Sequence, residues 1–267
     1  MMTKLIVLTG GATGIGAATA RRLLSKKCEV IILDLAQPDN NANQFIHCDL
    51  ASPESISAAI EQLPQKIDGL VNVAGVSNAW PGEIIMAVNF LGLRHLSESL
   101  LPRIEPGGSI VNVASTAAFD WRSREKIIKA FLDTKDFNSG TVWLKENQKV
   151  WEGNPYKFSK QCAAAYTYRA VGIAIKNKVR VNCVHPGSTG TQLTTDFRKL
   201  VGEALYDWGV EQVGREGEPE DIAEIIEFLS IGECRWINGV EITADGGFLA
   251  GMVGGWLDIK SKPNSTS

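Results

Sequence analysis

Cysteine is scarce and unpatterned in this chain of 267 residues: Cys28, Cys48, Cys162, Cys183 and Cys234 are odd in number and include no Cys-x-x-Cys pair. That argues against a disulfide framework or a thiolate metal centre. Most of the five fall in apolar runs, where cysteine behaves as a small core residue. The three histidines, His47, His95 and His185, do not form a metal set, so no structural metal is expected. A net charge of −3 gives no reason to invoke nucleic acid or an anionic membrane. No apolar stretch reaches the ~18 residues that a bilayer span requires, and the N-terminus reads as lacking a charged-then-apolar leader. These absences lead us to expect a cytoplasmic protein with neither a nucleic-acid nor a membrane partner.

What is present is a repeating strand–helix pattern. The length suffices for one large α/β domain, and the 44% apolar content is ordinary for a globular protein. Leu5-Ile6-Val7-Leu8-Thr9 reads as a buried strand, followed by Gly10-Gly11-Ala12-Thr13-Gly14-Ile15-Gly16 and a helix over 15–27. Val30-Ile31-Ile32-Leu33 is a second strand ending at Asp34. The sequence predicts further strands at 44–48, 68–73 and 179–184. It predicts helices starting at Ser52-Pro53-Glu54 and over 83–104, 155–176 and 219–230. Strands alternating with helices predict a single-domain, doubly wound parallel sheet of Rossmann type with helices on both faces. The domain is expected over 1–259, with 260–267 a flexible tail.

Two constellations carry chemistry. The glycines at 10, 14 and 16 permit a tight turn into a helix whose free N–H groups face a phosphate, and the strand–turn–helix–strand–acid unit is the arrangement that binds a dinucleotide. In Tyr156-Lys157-Phe158-Ser159-Lys160, Tyr156 and Lys160 share a helix face. A phenol titrates near ~10, and a neighbouring ammonium favours the phenolate, which would let Tyr156 exchange a proton with an alcohol near neutrality.

With both ends in view, the chain resembles the short-chain dehydrogenase/reductase family over almost its full length. Gly10-x-x-x-Gly14-Ile15-Gly16 matches the cofactor loop. Asn72-Val73-Ala74-Gly75 matches the Asn-Asn-Ala-Gly element after the fourth strand, with Val for the second Asn. Asn89 in Val88-Asn89-Phe90-Leu91-Gly92 matches the structural and relay Asn, and Ile110–Ser115 the strand that ends on the catalytic Ser. Pro186-Gly187-Ser188-Thr189-Gly190-Thr191 matches the Pro-Gly-x-x-x-Thr turn against the nicotinamide, and Gly239 through Gly247 the last strand. The resemblance implies a catalytic set of Asn89, Ser115, Tyr156 and Lys160. In it Tyr156 takes the substrate proton, Lys160 lowers the tyrosine pKa and bonds the nicotinamide ribose, Ser115 holds the substrate oxygen, and Asn89 positions a relay water. It also implies cofactor contacts at Gly10, Thr13, Gly14, Ile15, Gly16, Asp34, Leu35, Asp49, Leu50, Val73, Ala74, Gly75, Pro186, Gly187, Thr189 and Thr191, besides Tyr156 and Lys160.

Two intervals depart from the usual pattern. Gly75 to Asn89 is 14 positions, which is short for the family, whereas Ser115 to Tyr156 is 41, which is long. The extra segment, about 117–155, carries two apolar patterns: Ile127, Ile128, Phe131 and Leu132 on one face, and Val142, Trp143, Leu144, Val150 and Trp151 on another. An unstructured loop of that length would be unusual. The same paired shortening and lengthening is similar to the subgroup containing bacterial 3α-hydroxysteroid dehydrogenase/carbonyl reductase and coniferyl-alcohol dehydrogenase.

Asp34 can accept bonds from both adenosine ribose hydroxyls and would repel a 2′-phosphate. Positions 13 and 35, where a phosphate reader would want a cation, are Thr and Leu, so NAD is expected over NADP. Trp121, Trp143, Trp151, Phe197, Tyr206 and Trp208, with Trp80 and Pro81, suit a flat apolar ligand or merely pack the added helices. The substrate expected is an apolar cyclic or aromatic alcohol, hydroxysteroid-like or coniferyl-alcohol-like, oxidised to its ketone or aldehyde. The alternatives are an NADPH-dependent carbonyl reductase and a non-catalytic dinucleotide sensor. In most family members, helices flanking the extra segment build a tetramer. The added helices should cover part of that surface, which leaves a homodimer through another face.

Overall fold

The computed structural model describes residues 3–39 and 42–263; the last four residues of the expected tail lie outside that range. Seven strands, β1 (Leu5–Thr9), β2 (Glu29–Asp34), β3 (Gln44–His47), β4 (Ile67–Asn72), β5 (Ile104–Val113), β6 (Arg180–Pro186) and β7 (Glu241–Ala244), form one sheet. All pairs are parallel, in the order β3-β2-β1-β4-β5-β6-β7. This is the expected doubly wound arrangement. The order in which strands are added reverses at the β1/β4 boundary, which opens a crevice at the carboxyl ends of those strands.

The strands read as unbroken apolar runs because both faces are covered. Val7, Ile31, Leu33 and Leu70 point to one layer of helices, while Ile6, Leu8, Val30, Ile32 and Val71 point to the other. The second layer is α1 (Gly14–Ser25) with a later helix described below. The first begins with α2 (Pro53–Gln62), whose N-cap Ser52 accepts from Ser55 N–H. Next comes a continuous helical run: α3 (Gly82–Met86), a π-turn over Ala87–Gly92, α4 (Leu93–Leu100) and a 3₁₀ turn to Arg103. On composition this run is long and apolar enough to cross a membrane, contrary to the expectation that no such stretch exists. It is mostly buried in the fold, with Phe90, Leu96 and Leu100 in the core.

The extra segment folds as α5 (Glu125–Leu132), α6 (Phe137–Glu146) and α7 (Gln148–Trp151), laid against α8 (Pro155–Ala174). Ile128, Phe131 and Leu132 are fully buried, each contributing roughly 1.5–3 kcal/mol by transfer. Phe131 stacks on Trp143 with centroids 4.7 Å apart and also meets Phe90 and Phe158. Val142 departs from the expected apolar face: it is exposed, because the burying stripe of α6 runs through Phe137, Gly140 and Leu144. Polar ties finish the docking. Asp120 accepts from Lys157 Nζ and Gln161 Nε2 at 2.8 Å each, and the buried Arg94 guanidinium donates to Thr134 O at 2.6 Å.

After β6 come α9 (Gln192–Val201) and α10 (Glu203–Val213), neither predicted from the sequence, then α11 (Pro219–Ile231), which completes the second layer, and α12 (Phe248–Gly254). Residues 259–261, at the start of the expected tail, make a 3₁₀ turn whose Ser261 Oγ accepts from Trp208 Nε1 at 3.0 Å. All five cysteines are buried and free.

Candidate active site

The groove at the β1/β4 crevice, about 380 Å³, is lined by Gly10, Thr13, Gly14, Ile15 and Gly16, and further along by Asp34, Leu35, Asp49 and Leu50. Val73, Ala74, Gly75 and Thr191 close it. Its floor needs bare backbone: a Cβ on Gly10, where φ is +73°, would stand 2.6 Å from Ala74 Cα, and one on Gly16 would strike Gly10 O. The N-cap of α1, Thr13, makes no side-chain capping bond, and no acidic residue lies in the first turn. The leading N–H groups therefore remain available for an anion. A dinucleotide phosphate fits these residues.

At the far end Asp34 accepts from Ala12 N–H at 2.9 Å and from Ala36 N–H at 3.2 Å. Each carboxylate oxygen keeps a further acceptor site. Asp49 likewise caps its own turn through Ala51 N–H at 2.8 Å.

The catalytic candidates converge beside Gly75. A Cβ there would lie 3.3 Å from both Asn89 Oδ1 and Lys160 Nζ. Asn89 sits in the π-turn, a helical distortion common at functional sites. Its Oδ1 accepts from Val76 N–H at 2.8 Å, and its Nδ2 donates to Val76 O at 3.0 Å and Ser159 Oγ at 3.1 Å. It thereby ties the loop after β4 to α8. Ser115 follows β5 by two residues, its Oγ accepting from Ala117 N–H at 3.2 Å while its hydroxyl faces the Tyr156 phenol.

The expected electrostatics of Tyr156 need correction. Burial pushes the phenol up to about 12, with the Ser115 hydroxyl working the other way. Burial likewise lowers Lys160, to about 8. Lys160 Nζ is 5.8 Å from the Tyr156 ring centroid and donates to Val113 O at 2.9 Å. The ammonium grips the strand end instead of the phenol, so in this arrangement it does not depress the tyrosine.

Five predicted cofactor residues stand off the groove wall: Tyr156, Lys160, Pro186, Gly187 and Thr189. Pro186 is buried in β6, Gly187 faces a separate cavity with Thr116, and Thr189 is buried with its carbonyl accepting from Thr194 Oγ1 at 2.5 Å. Of the aromatics, Trp80 lines the groove and Phe197 packs on Tyr156. Trp121, Trp143, Trp151, Tyr206 and Trp208 serve packing or structural hydrogen bonds. The sequence reading missed Val76, Gln192, Leu193 and Asp196 on the groove wall. No motif marks them, although the last three directly follow the Thr191 turn.

Comparison with known proteins agrees with this geometry. Residues 4–125 match the family model described as short chain dehydrogenase, and residues 142–249 match one described as Enoyl-(Acyl carrier protein) reductase. Coniferyl-alcohol dehydrogenase of Pseudomonas sp. (strain HR199 / DSM 7063) is 37% identical over 95% of this chain and 99% of its own length. The chain belongs to the short-chain dehydrogenase/reductase family. It is an oxidoreductase of that family, whose members bind a nicotinamide dinucleotide. Two other members are similar. The 3-alpha-hydroxysteroid dehydrogenase/carbonyl reductase of Comamonas testosteroni is 28% identical over 93% of this chain and 98% of its own. The structure of 3-alpha-hydroxysteroid dehydrogenase from Pseudomonas sp. B-0831 complexed with NADH superposes with a TM-score of 0.79 at 29% identity, covering 94% of this chain and 99% of that one.

Proposed function

We propose that the protein is an NAD-dependent alcohol dehydrogenase that oxidises an apolar cyclic or aromatic alcohol to its ketone or aldehyde. One observation carries the reading: Ser115, Tyr156 and Lys160 gather beside a groove whose far end bears Asp34 and no neighbouring cation. The bound dinucleotide supplies the hydride acceptor. Tyr156 takes the hydroxyl proton of the alcohol, and the carbon–oxygen double bond forms as the hydride leaves the carbon. The Ser115 hydroxyl, which faces the phenol, donates to the substrate oxygen and stabilises the charge on it. Lys160 and Asn89 hold the strand end and the loop that bracket that oxygen. Asp34 receives the adenosine ribose hydroxyls, with Gly10, Thr13, Gly14, Ile15 and Gly16 at the phosphates. Thr191, with the turn from Pro186 to Thr189, supports the nicotinamide end.

The named activities of the similar proteins support an apolar ring substrate. The buried free thiols suit a reducing cytoplasm. The domain spans 1–259, and the assembly is a homodimer. With α5 docked on α8, the exposed Phe228, Trp236, Met252 and Val253 offer apolar surface to a second copy. Sedimentation equilibrium should give a dimer, and a stable tetramer through α8 defeats that part.

A screen of steroid, terpenoid and aryl alcohols with NAD and NADP in parallel tests the whole reading. We expect NADH production with at least one class and a much weaker signal with NADP. No turnover with any class, or a preference for NADP, overturns it.

A further inference from the structure

Ser115 stands two residues beyond β5, just past the end of that strand's ladder with β6. Val113 pairs with Val184, and Ala114 N–H donates to Val184 O at 2.9 Å. In a parallel ladder the next donor on β6 is two residues on and faces the Ala114 carbonyl. That residue is Pro186, which has no N–H, so the ladder ends there. The Ser115 carbonyl, one residue further, is met by a side chain. His185 is buried, 2% exposed, and its Nδ1 lies 2.8 Å from the Ser115 carbonyl oxygen. Its Nε2 lies 3.0 Å from Glu241 Oε2, at the start of the edge strand β7. The Ser115 carbonyl can only accept, so Nδ1 carries a hydrogen, while the Glu241 carboxylate faces Nε2.

Glu241 is itself fixed from three sides. Tyr168 O–H donates to Oε1 at 2.5 Å and Arg122 at 3.0 Å, and Trp121 Nε1 is 3.2 Å from both oxygens. Trp121 and Arg122 belong to the extra segment. Burial opposes charge on His185, but Cys183, Glu241 and the Ser115 carbonyl outweigh it and hold the imidazole's pKa up; burial would raise Glu241, but His185, Tyr168 and Trp121 hold it low. This chain of contacts runs from the surface of the extra segment to the backbone of Ser115.

We propose that His185 is a positioning residue for Ser115, its Nδ1–H holding the Ser115 carbonyl beyond the end of the β5–β6 ladder, with Glu241 and the extra segment fixing the ring. The proposal rests on the reading of Ser115 as the group that holds the substrate oxygen. Asn places an amide nitrogen where His has Nδ1, whereas Gln displaces it by one methylene and Leu removes it.

The test measures kcat, NAD KM and NADH affinity for His185→Asn, His185→Gln and His185→Leu, with Ser115→Ala alone and in combination. Removing or displacing the donor should lower kcat about tenfold or more, with NADH affinity and NAD KM within about twofold of wild type. Asn should recover most of the loss. The Asn and Gln proteins, both polar, decide the matter if the Leu protein does not fold. In the Ser115→Ala background His185→Gln should cost little more, since the two act as one unit. Gln equal to Asn, loss of cofactor affinity in step with kcat, or losses that multiply in the double variant would each overturn the link between His185 and Ser115. If Ser115→Ala alone leaves kcat unchanged, the reading of Ser115 has failed, and the proposal falls with it by a distinguishable route.

Discussion

Phe197 stands edge-on against Tyr156, with ring centroids 4.9 Å apart and planes at 65°. The residue before it, Asp196, accepts from the buried Ser77 hydroxyl at 2.5 Å. α9 is thus pinned to the loop after β4 directly beside the phenol. Phe197 lays an apolar ring along one side of the Tyr156 phenol.

If Tyr156 is the acid/base, Tyr156→Phe should lower kcat by ~10²–10⁴-fold. NADH binding should survive, since the phenol stands off the groove wall. Steady-state kinetics beside fluorescence titration of NADH separate the two effects. Retention of a tenth or more of wild-type kcat defeats the assignment.

Asp34→Ala should narrow the preference for NAD over NADP by removing the carboxylate that would repel a 2′-phosphate. The measurement is kcat/KM for both cofactors in both proteins. An unchanged ratio means that Asp34 only braces its own turn through Ala12 and Ala36.

The pH dependence follows from the raised phenol. A base acts after losing its proton, and burial holds Tyr156 at about 12, so the competent form grows as pH rises. Alcohol oxidation should therefore climb from about pH 6 to 9, whereas carbonyl reduction, which uses the protonated phenol, should stay flat over the same interval. Initial rates in both directions check the sign. A flat oxidation profile there would show that the phenol titrates lower, as though a cation did lie against it.

Phe131→Ala asks whether the extra segment is part of the core or laid upon it. Phe131 is fully buried among Phe90, Trp143 and Phe158. Truncation should cost ~3–5 kcal/mol, read as a lower midpoint in urea with an unchanged slope. A cost below about 1 kcal/mol, the range of surface substitutions, means that the segment opens independently of the domain.

Much of this architecture is legible in the residues. Leu5–Thr9 and Val30–Leu33 announce buried parallel strands, and the glycines between them announce the groove, because bare backbone there is a steric requirement. Ser52-Pro53 marks a helix start through a local capping bond. The pinning of α9 escaped notice because Asp196 and Ser77 are 119 residues apart. Val142 was misjudged because an apolar run does not say which residues face inward. The orientation of Lys160 was misjudged for a different reason: sharing a helix face with Tyr156 does not decide whether the ammonium reaches the phenol or a carbonyl of β5. The His185–Glu241 contact depends on strand pairing across 56 positions, so counting histidines could not suggest it.

The burial of all five thiols makes the protein its own reporter of opening. A thiol reagent can modify each only as its surroundings part, so site-resolved labelling rates would map local unfolding free energies without added probes. Cys162 lies in α8, Cys234 follows α11, and Cys48 borders the groove. Burial raises the Cys48 thiol to about 11, so little thiolate forms even when it is exposed. It should label slowly, and more slowly still when a dinucleotide fills the groove beside it.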